Sequence, residues 1–161
     1  MTSILKVSTL QDPTNSNTAL QIDASGRVTT PARPAFRSYG SGGSWVSFGT
    51  GKVTTMTTVD YNIGGHYDST DCEFTAPIDG LYHIHGRFYV NNGSTISSFY
   101  IMIDGTAYSS TYFATVENAA GDSSVTFSET LQLNANQVVA MRGNSGEYFP
   151  LYSSFGGYLV G

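Results

Sequence analysis

Charge is what this sequence has least of. Twelve acidic and seven basic residues make up 12 % of its 161 positions, about half the share usual in a soluble domain. A surface so short of charge must be made of Ser, Thr, Asn, Gly and Tyr. It does little to keep copies apart by like-charge repulsion. The basic residues are scattered, with no stripe to neutralise phosphates, and the net charge is −5; nucleic acid is not an expected partner. Long apolar runs are missing too, so no membrane insertion is expected. The opening residues, MTSILKVSTLQD, hold one lysine and no sustained apolar stretch, and do not read as a signal peptide. The single cysteine, Cys72, cannot close a disulfide within the chain. It suits a reducing cytosol and is expected to be a small, buried or half-buried thiol.

Helical periodicity is nearly absent as well. Runs rich in Val, Ile, Thr, Tyr and Phe alternate with clusters of Gly, Asn, Asp and Ser, which is an all-β pattern. Two unequal parts are expected. Residues 1–33 lack aromatics. There ILKVSTL (4–10) alternates apolar and polar, and ALQIDASGRVTTP (19–31) reads as two short strands about a turn at Ala24-Ser25-Gly26, with Leu20, Ile22 and Val28 sharing a face. A segment this small cannot bury a core of its own, so Ile4, Leu5, Val7, Leu10, Leu20, Ile22 and Val28 are expected to anchor it to something else. Pro31 and Pro34 bracket a stiff, non-pairing hinge.

From residue 34 to 161 the strand pattern is dense. PAFRSYG (34–40) is a short strand, and a Gly-rich loop (41–52) carries Trp45 and Phe48 as apolar anchors. VTTMTTVDYNIG (53–64) reads as a Thr-rich strand and CEFTAP (72–77) as a short one. GLYHIHGRFYV (80–90) alternates, with Leu81, His83, His85, Arg87 and Tyr89 on one side and Tyr82, Ile84, Gly86, Phe88 and Val90 on the other. SSFYIMIDG (97–105) turns at Asp104-Gly105 into residues 106–118. SSVTFSETLQL (123–133), NANQVVAMRG (134–143) and YSSFGGYLVG (152–161) complete about eight to ten strands, suiting a two-sheet sandwich of jelly-roll type.

The run GGHYDSTDCEFTAPIDGLYHIHG (64–86) gathers the sequence's three histidines and its one cysteine, and invites a catalytic or metal reading. His66 and Asp68, with Asp71 and Glu73 nearby, and His83 with His85 two apart on a strand, are the candidate ligands for zinc. Against this, no HExxH and no Cys/His spacing of a structural zinc site occurs, nor a GxSxG elbow or phosphate loop. Glu117, Asp122 and Glu129 have no spacing that pairs two carboxylates. The architectural reading is preferred: Asp79-Gly80 as a tight turn, Pro77 ending one strand, and no catalytic residue, cofactor or metal.

PAFRSYG, NIGGHYDSTDCEFTAPIDGLYHIHGRFYV, FYIMIDG, ETLQLNANQVVAMRG and FGGYLVG together resemble a C1q domain, the jelly roll of complement C1q that is related to the tumour necrosis factor family. The resemblance spans residues 34–161. It implies ten strands and a compact homotrimer, with aromatic and aliphatic strand faces meeting around a threefold axis. Eleven Tyr, nine Phe and one Trp are more than a small jelly roll hides alone. Phe74, Phe88, Phe99, Phe127 and Phe155 are expected in the core, and Tyr82, Phe88, Tyr100, Phe155 and Tyr158 in core and threefold contacts. Calcium, bound by some members of that family, would need clustered oxygens, whereas Asp60, Asp68, Asp71 and Asp122 are scattered.

Residues 1–33, LKVSTLQD…ALQIDASGRVTTP…PAF, resemble the openings of structural proteins of tailed phages, tail-fibre-like ones especially. No collagen-like Gly-X-Y stalk is present. The combined expectation is a non-enzymatic, homotrimeric virion surface protein, assembled in the host cytoplasm and tethered by its arm to other virion proteins. A capsid decoration (cement) protein comes first. A short tail fibre or receptor-binding tip gripping a host glycan or protein comes second, and a soluble glycan-binding module third.

Overall fold

The computed structural model describes residues 6–14, 16–91, 97–108, 113–114 and 121–161. Ile4, Leu5 and Glu117 lie outside them. The chain forms two compact units, Met1–Arg33 and Pro34–Gly161. The described residues are strands and turns, with a single 3-10 turn at Pro150–Tyr152.

In the first unit β1 (Thr9–Gln11), β2 (Thr18–Ile22) and β3 (Val28–Thr29) make an antiparallel sheet in that order. Asp23 closes the β2–β3 turn. Its carboxylate accepts from the Arg27 amide, pairs with the Arg27 guanidinium and accepts from the Ser25 amide, which together hold its pKa below the usual carboxylate range. Gly26 takes the positive φ of 78° that this turn demands.

The second unit is an antiparallel sandwich. One sheet runs β5 (Val46–Ser47), β15 (Glu147–Tyr148), β9 (Gly80–Val90), β16 (Ser154–Leu159), β4 (Ala35–Tyr39), β6 (Thr58–Ile63), with β13 (Ser123–Leu133) pairing β9 along its whole length. The other runs β11 (Thr106–Ala107), β10 (Ser98–Ile103), β14 (Val138–Ser145), β8 (Glu73–Thr75), β7 (Tyr67–Asp68), with β12 (Phe113–Ala114) on β10. This is the all-β jelly-roll sandwich that the strand pattern implies.

Aromatic rings from both sheets interlock between them. Phe36 of β4 stacks on Tyr67 and Phe74 of the facing sheet, with centroids 4.8 and 4.7 Å apart, and meets Phe155 edge-on. At the other end Phe88, Phe99, Phe127, Phe48 and Tyr148 form a second cluster. Buried hydroxyls are satisfied: Tyr67 donates to the Met56 carbonyl, and Tyr82 to that of Ile78. Burial raises the pKa of both phenols.

Two local expectations change. The stretch 53–64 is not one strand; only Thr58–Ile63 pairs. Val53 and Met56 are both buried, three residues apart, a spacing that a period-two strand cannot satisfy, so the chain runs irregularly there. The 64–72 region adds a short strand, Tyr67–Asp68, after Gly64 and Gly65, both at positive φ.

Candidate self-association face

The alternation of β9 decides which side chains leave the core. Tyr82, Ile84, Phe88 and Val90 are buried, so Leu81, His83, His85, Arg87 and Tyr89 stand on the opposite face of the sheet. Registers carry this face sideways. One row across it is Thr130, His83, Tyr158, Ala35 and Ile63; the next is Ser128, His85, Gly156, Arg37 and Tyr61. Leu81, Tyr158, Tyr61 and Ile63 are 41 to 43 % exposed. Trp45, half-buried, stacks on Tyr89 and meets Phe149 edge-on.

The charged groups on the two rows are few and identifiable. Arg37 is ion-paired with Asp60, and further along β9 Arg87 donates to the Tyr152 carbonyl. Most other charges of this unit belong to the opposite sheet and its loops. Lys52 pairs with Glu73 at 2.8 Å and Asp71 at 3.7 Å, while Arg142 donates to the Thr50 carbonyl. Asp104 accepts from Gln137 and from the Val138 amide. One broad face is thus poor in charge and carries exposed tyrosine and aliphatic side chains, as the centres of protein interfaces do.

The two imidazoles on this face stack, with centroids 5.5 Å apart. The His83 ring nitrogens lie near Thr130 Oγ1 (Nδ1, 3.4 Å) and Ser128 Oγ (Nε2, 3.2 Å). The His85 ring covers Gly156, where a Cβ would come within 3.1 Å of Nε2. Its Nδ1 is buried and has no hydrogen-bond partner among the described residues. Burial first, then the neighbouring His83 and Arg37, lower the His85 pKa below the ordinary histidine value. An imidazolium there would bury an unpaired N–H, so the ring is held neutral.

The other candidate residues do not converge. His66 borders a shallow cleft with Gly65, Tyr67, Asp68, Ser69 and Thr75. The Asp68 carboxylate accepts from the amides of Thr70 and Asp71, which lowers its pKa, and Glu73 is engaged by Lys52. Among the described residues no three His, Cys, Asp or Glu side chains are grouped to hold a metal. Cys72 is buried, and burial raises its thiol pKa. Asp122 is exposed and Glu129 half-buried.

Of the aromatic residues expected in core and threefold contacts, Tyr82, Phe88 and Phe155 fill the core. Tyr100 is half-buried on β10 of the other sheet, and Tyr158 stands on the charge-poor face. Tyr61 and Ile63, which join it there, were readable from the alternation in VDYNI but were masked by the longer strand expected around them.

Residues 44–160 match the model of the C1q domain. The chain belongs to the C1q domain family. Among solved structures it is similar to the globular domain of zebrafish complement 1qA protein, with a TM-score of 0.65 and 17 % identity, over 80 % of this chain and 98 % of that one. It is also similar to Eiger TNF from S. frugiperda, with a TM-score of 0.60 and 13 % identity, over 81 % of this chain and 94 % of that one. At these identities the likeness is one of fold. No curated protein matches. C1q and TNF domains are generally non-enzymatic binding modules and typically form homotrimers.

Proposed function

We propose that this C1q domain is a homotrimeric, non-enzymatic adhesive module, closed through the outward face of β13, β9, β16, β4 and β6. The observation that carries this reading is the contrast between the two sheets. Tyr158, Leu81, Tyr61 and Ile63 crowd one exposed face, while Lys52, Asp71, Glu73, Asp104 and Arg142 lie with the other. Covering the first face removes apolar area from water at about 25 cal/mol per Å² and desolvates few ions.

The particle we assign it to is a tailed-phage virion, with the jelly roll displayed at the surface and residues 1–33 as its tether. The support is the low charge and the likeness of the arm's sequence to virion structural proteins. Three arms on one assembly multiply a weak attachment by effective concentration. A capsid decoration site is the first placement, because a charge-poor surface suits a protein largely covered by its neighbours. The tail-fibre-like sequence of the arm supports a tail tip as the second. Quantitative protein stoichiometry of purified virions separates them. Hundreds of copies per particle mean the capsid, a few trimers mean the tail, and none ends the virion reading.

A further inference from the structure

The arm sheet is two-faced. Leu10 lies opposite Leu20, and Ile22 opposite Val28. Leu20 and Ile22 are two apart on one strand, so all four aliphatic side chains share a face. Val7 joins them along an apolar groove of about 160 Å³. The other face carries Thr9, Gln21 and Thr29, aligned by the same registers. Nothing among the arm's described residues covers the apolar face: Val28 is 63 % and Leu10 57 % exposed. Asp23 and Arg27 neutralise each other in the turn. Strands of three, five and two residues are too few to persist in water with such a face open.

We propose that this face is an interface between copies of the chain, with Leu10, Leu20, Ile22 and Val28 of one arm packing against the same residues of the others. The inference rests on the trimeric reading above and names what covers the arm within it. Chain connectivity selects the occupant. Only Thr30–Pro34 join the arm to the jelly roll, and five residues span at most about 18 Å. Once three jelly rolls associate, the arms of the other two copies are present at roughly millimolar effective concentration. A separate protein would have to displace them. The face is aliphatic and uncharged, so identical faces meet without repulsion. In this arrangement the polar face and the turns of the trimeric arm meet the particle.

The test uses the full chain with Cys72→Ser, so that an introduced cysteine is the only thiol. Leu20→Cys reports the apolar face and Gln21→Cys the polar one. Mild oxidation is followed by non-reducing gels, with the solution mass measured beforehand on the same samples. The expected result is a trimer in both, with chain-to-chain disulfides at Leu20→Cys and few at Gln21→Cys. A trimer with no Leu20→Cys disulfide, or with equal crosslinking at both positions, overturns the proposal and leaves the trimer standing. A monomer before oxidation overturns the trimeric reading and this inference with it. Hydrogen exchange on Leu20→Asp, with Cys72 intact, is independent of those variants. Amides of β2 should exchange roughly tenfold or more faster than in the parent, with β9 and β13 unchanged. Equal exchange in parent and variant also overturns the proposal.

Discussion

Phe88 and His85 sit three residues apart on one strand and face opposite worlds. Phe88 is fully buried among Phe48, Phe99, Phe127 and Tyr148. Replacing it with alanine leaves a cavity that four rings cannot jointly fill, and should cost about 3–5 kcal/mol in urea unfolding. His85 acts through its proton. Its pKa is lowered in the fold, while an unfolded histidine titrates near about 6.5. Above that pH both states are neutral and the ring has no pH-linked effect. As pH falls below it, the unfolded chain binds the proton first, so stability drops, levelling off once folded His85 is itself protonated. Plotted against pH, the urea midpoint of His85→Gln should fall less between neutral and acid than that of the parent; parallel curves would refute the assignment. Residue fates of this kind were only partly legible. The five Phe expected in the core are there. Tyr is ambiguous by nature, because a hydroxyl is satisfied as well by a carbonyl inside, as in Tyr82, as by water outside, as in Tyr158.

At the scale of elements, legibility followed periodicity. GLYHIHGRFYV showed its two faces because one side of β9 is buried at Tyr82, Ile84, Phe88 and Val90 while the other is not. The turn at Asp104-Gly105 was legible because two successive positive φ angles, 50° and 77°, need those residue types. Val53 and Met56 were misread because burial in irregular chain has no period. The two-residue strands Val46–Ser47, Tyr67–Asp68 and Glu147–Tyr148 were missed because pairing that short leaves no pattern. Gly86 is the element-scale constraint on the long strand. A Cβ there would fall 2.6 Å from the Phe127 ring and against the Ser154 carbonyl, so the ring or the β16 backbone would have to shift. Gly86→Ala should lower stability by about 1–3 kcal/mol, seen as a lower urea midpoint; an unchanged midpoint would show that the ring yields freely.

The whole molecule was legible as a fold sooner than as a function. Alternation and turn chemistry spell out the sandwich, but what an exposed face is for depends on a partner that the chain does not encode alone. Charge scarcity is the most informative global feature, and its meaning became local only when the registers gathered Tyr158, Leu81, Tyr61 and Ile63 on one side. The measurement that bears most directly on this account is the solution mass of the full chain at micromolar concentration, by sedimentation or light scattering, beside that of Tyr158→Glu. The account predicts three times the chain mass for the parent and a shift towards the single chain for the variant. A parent that remains a stable, soluble monomer would contradict it.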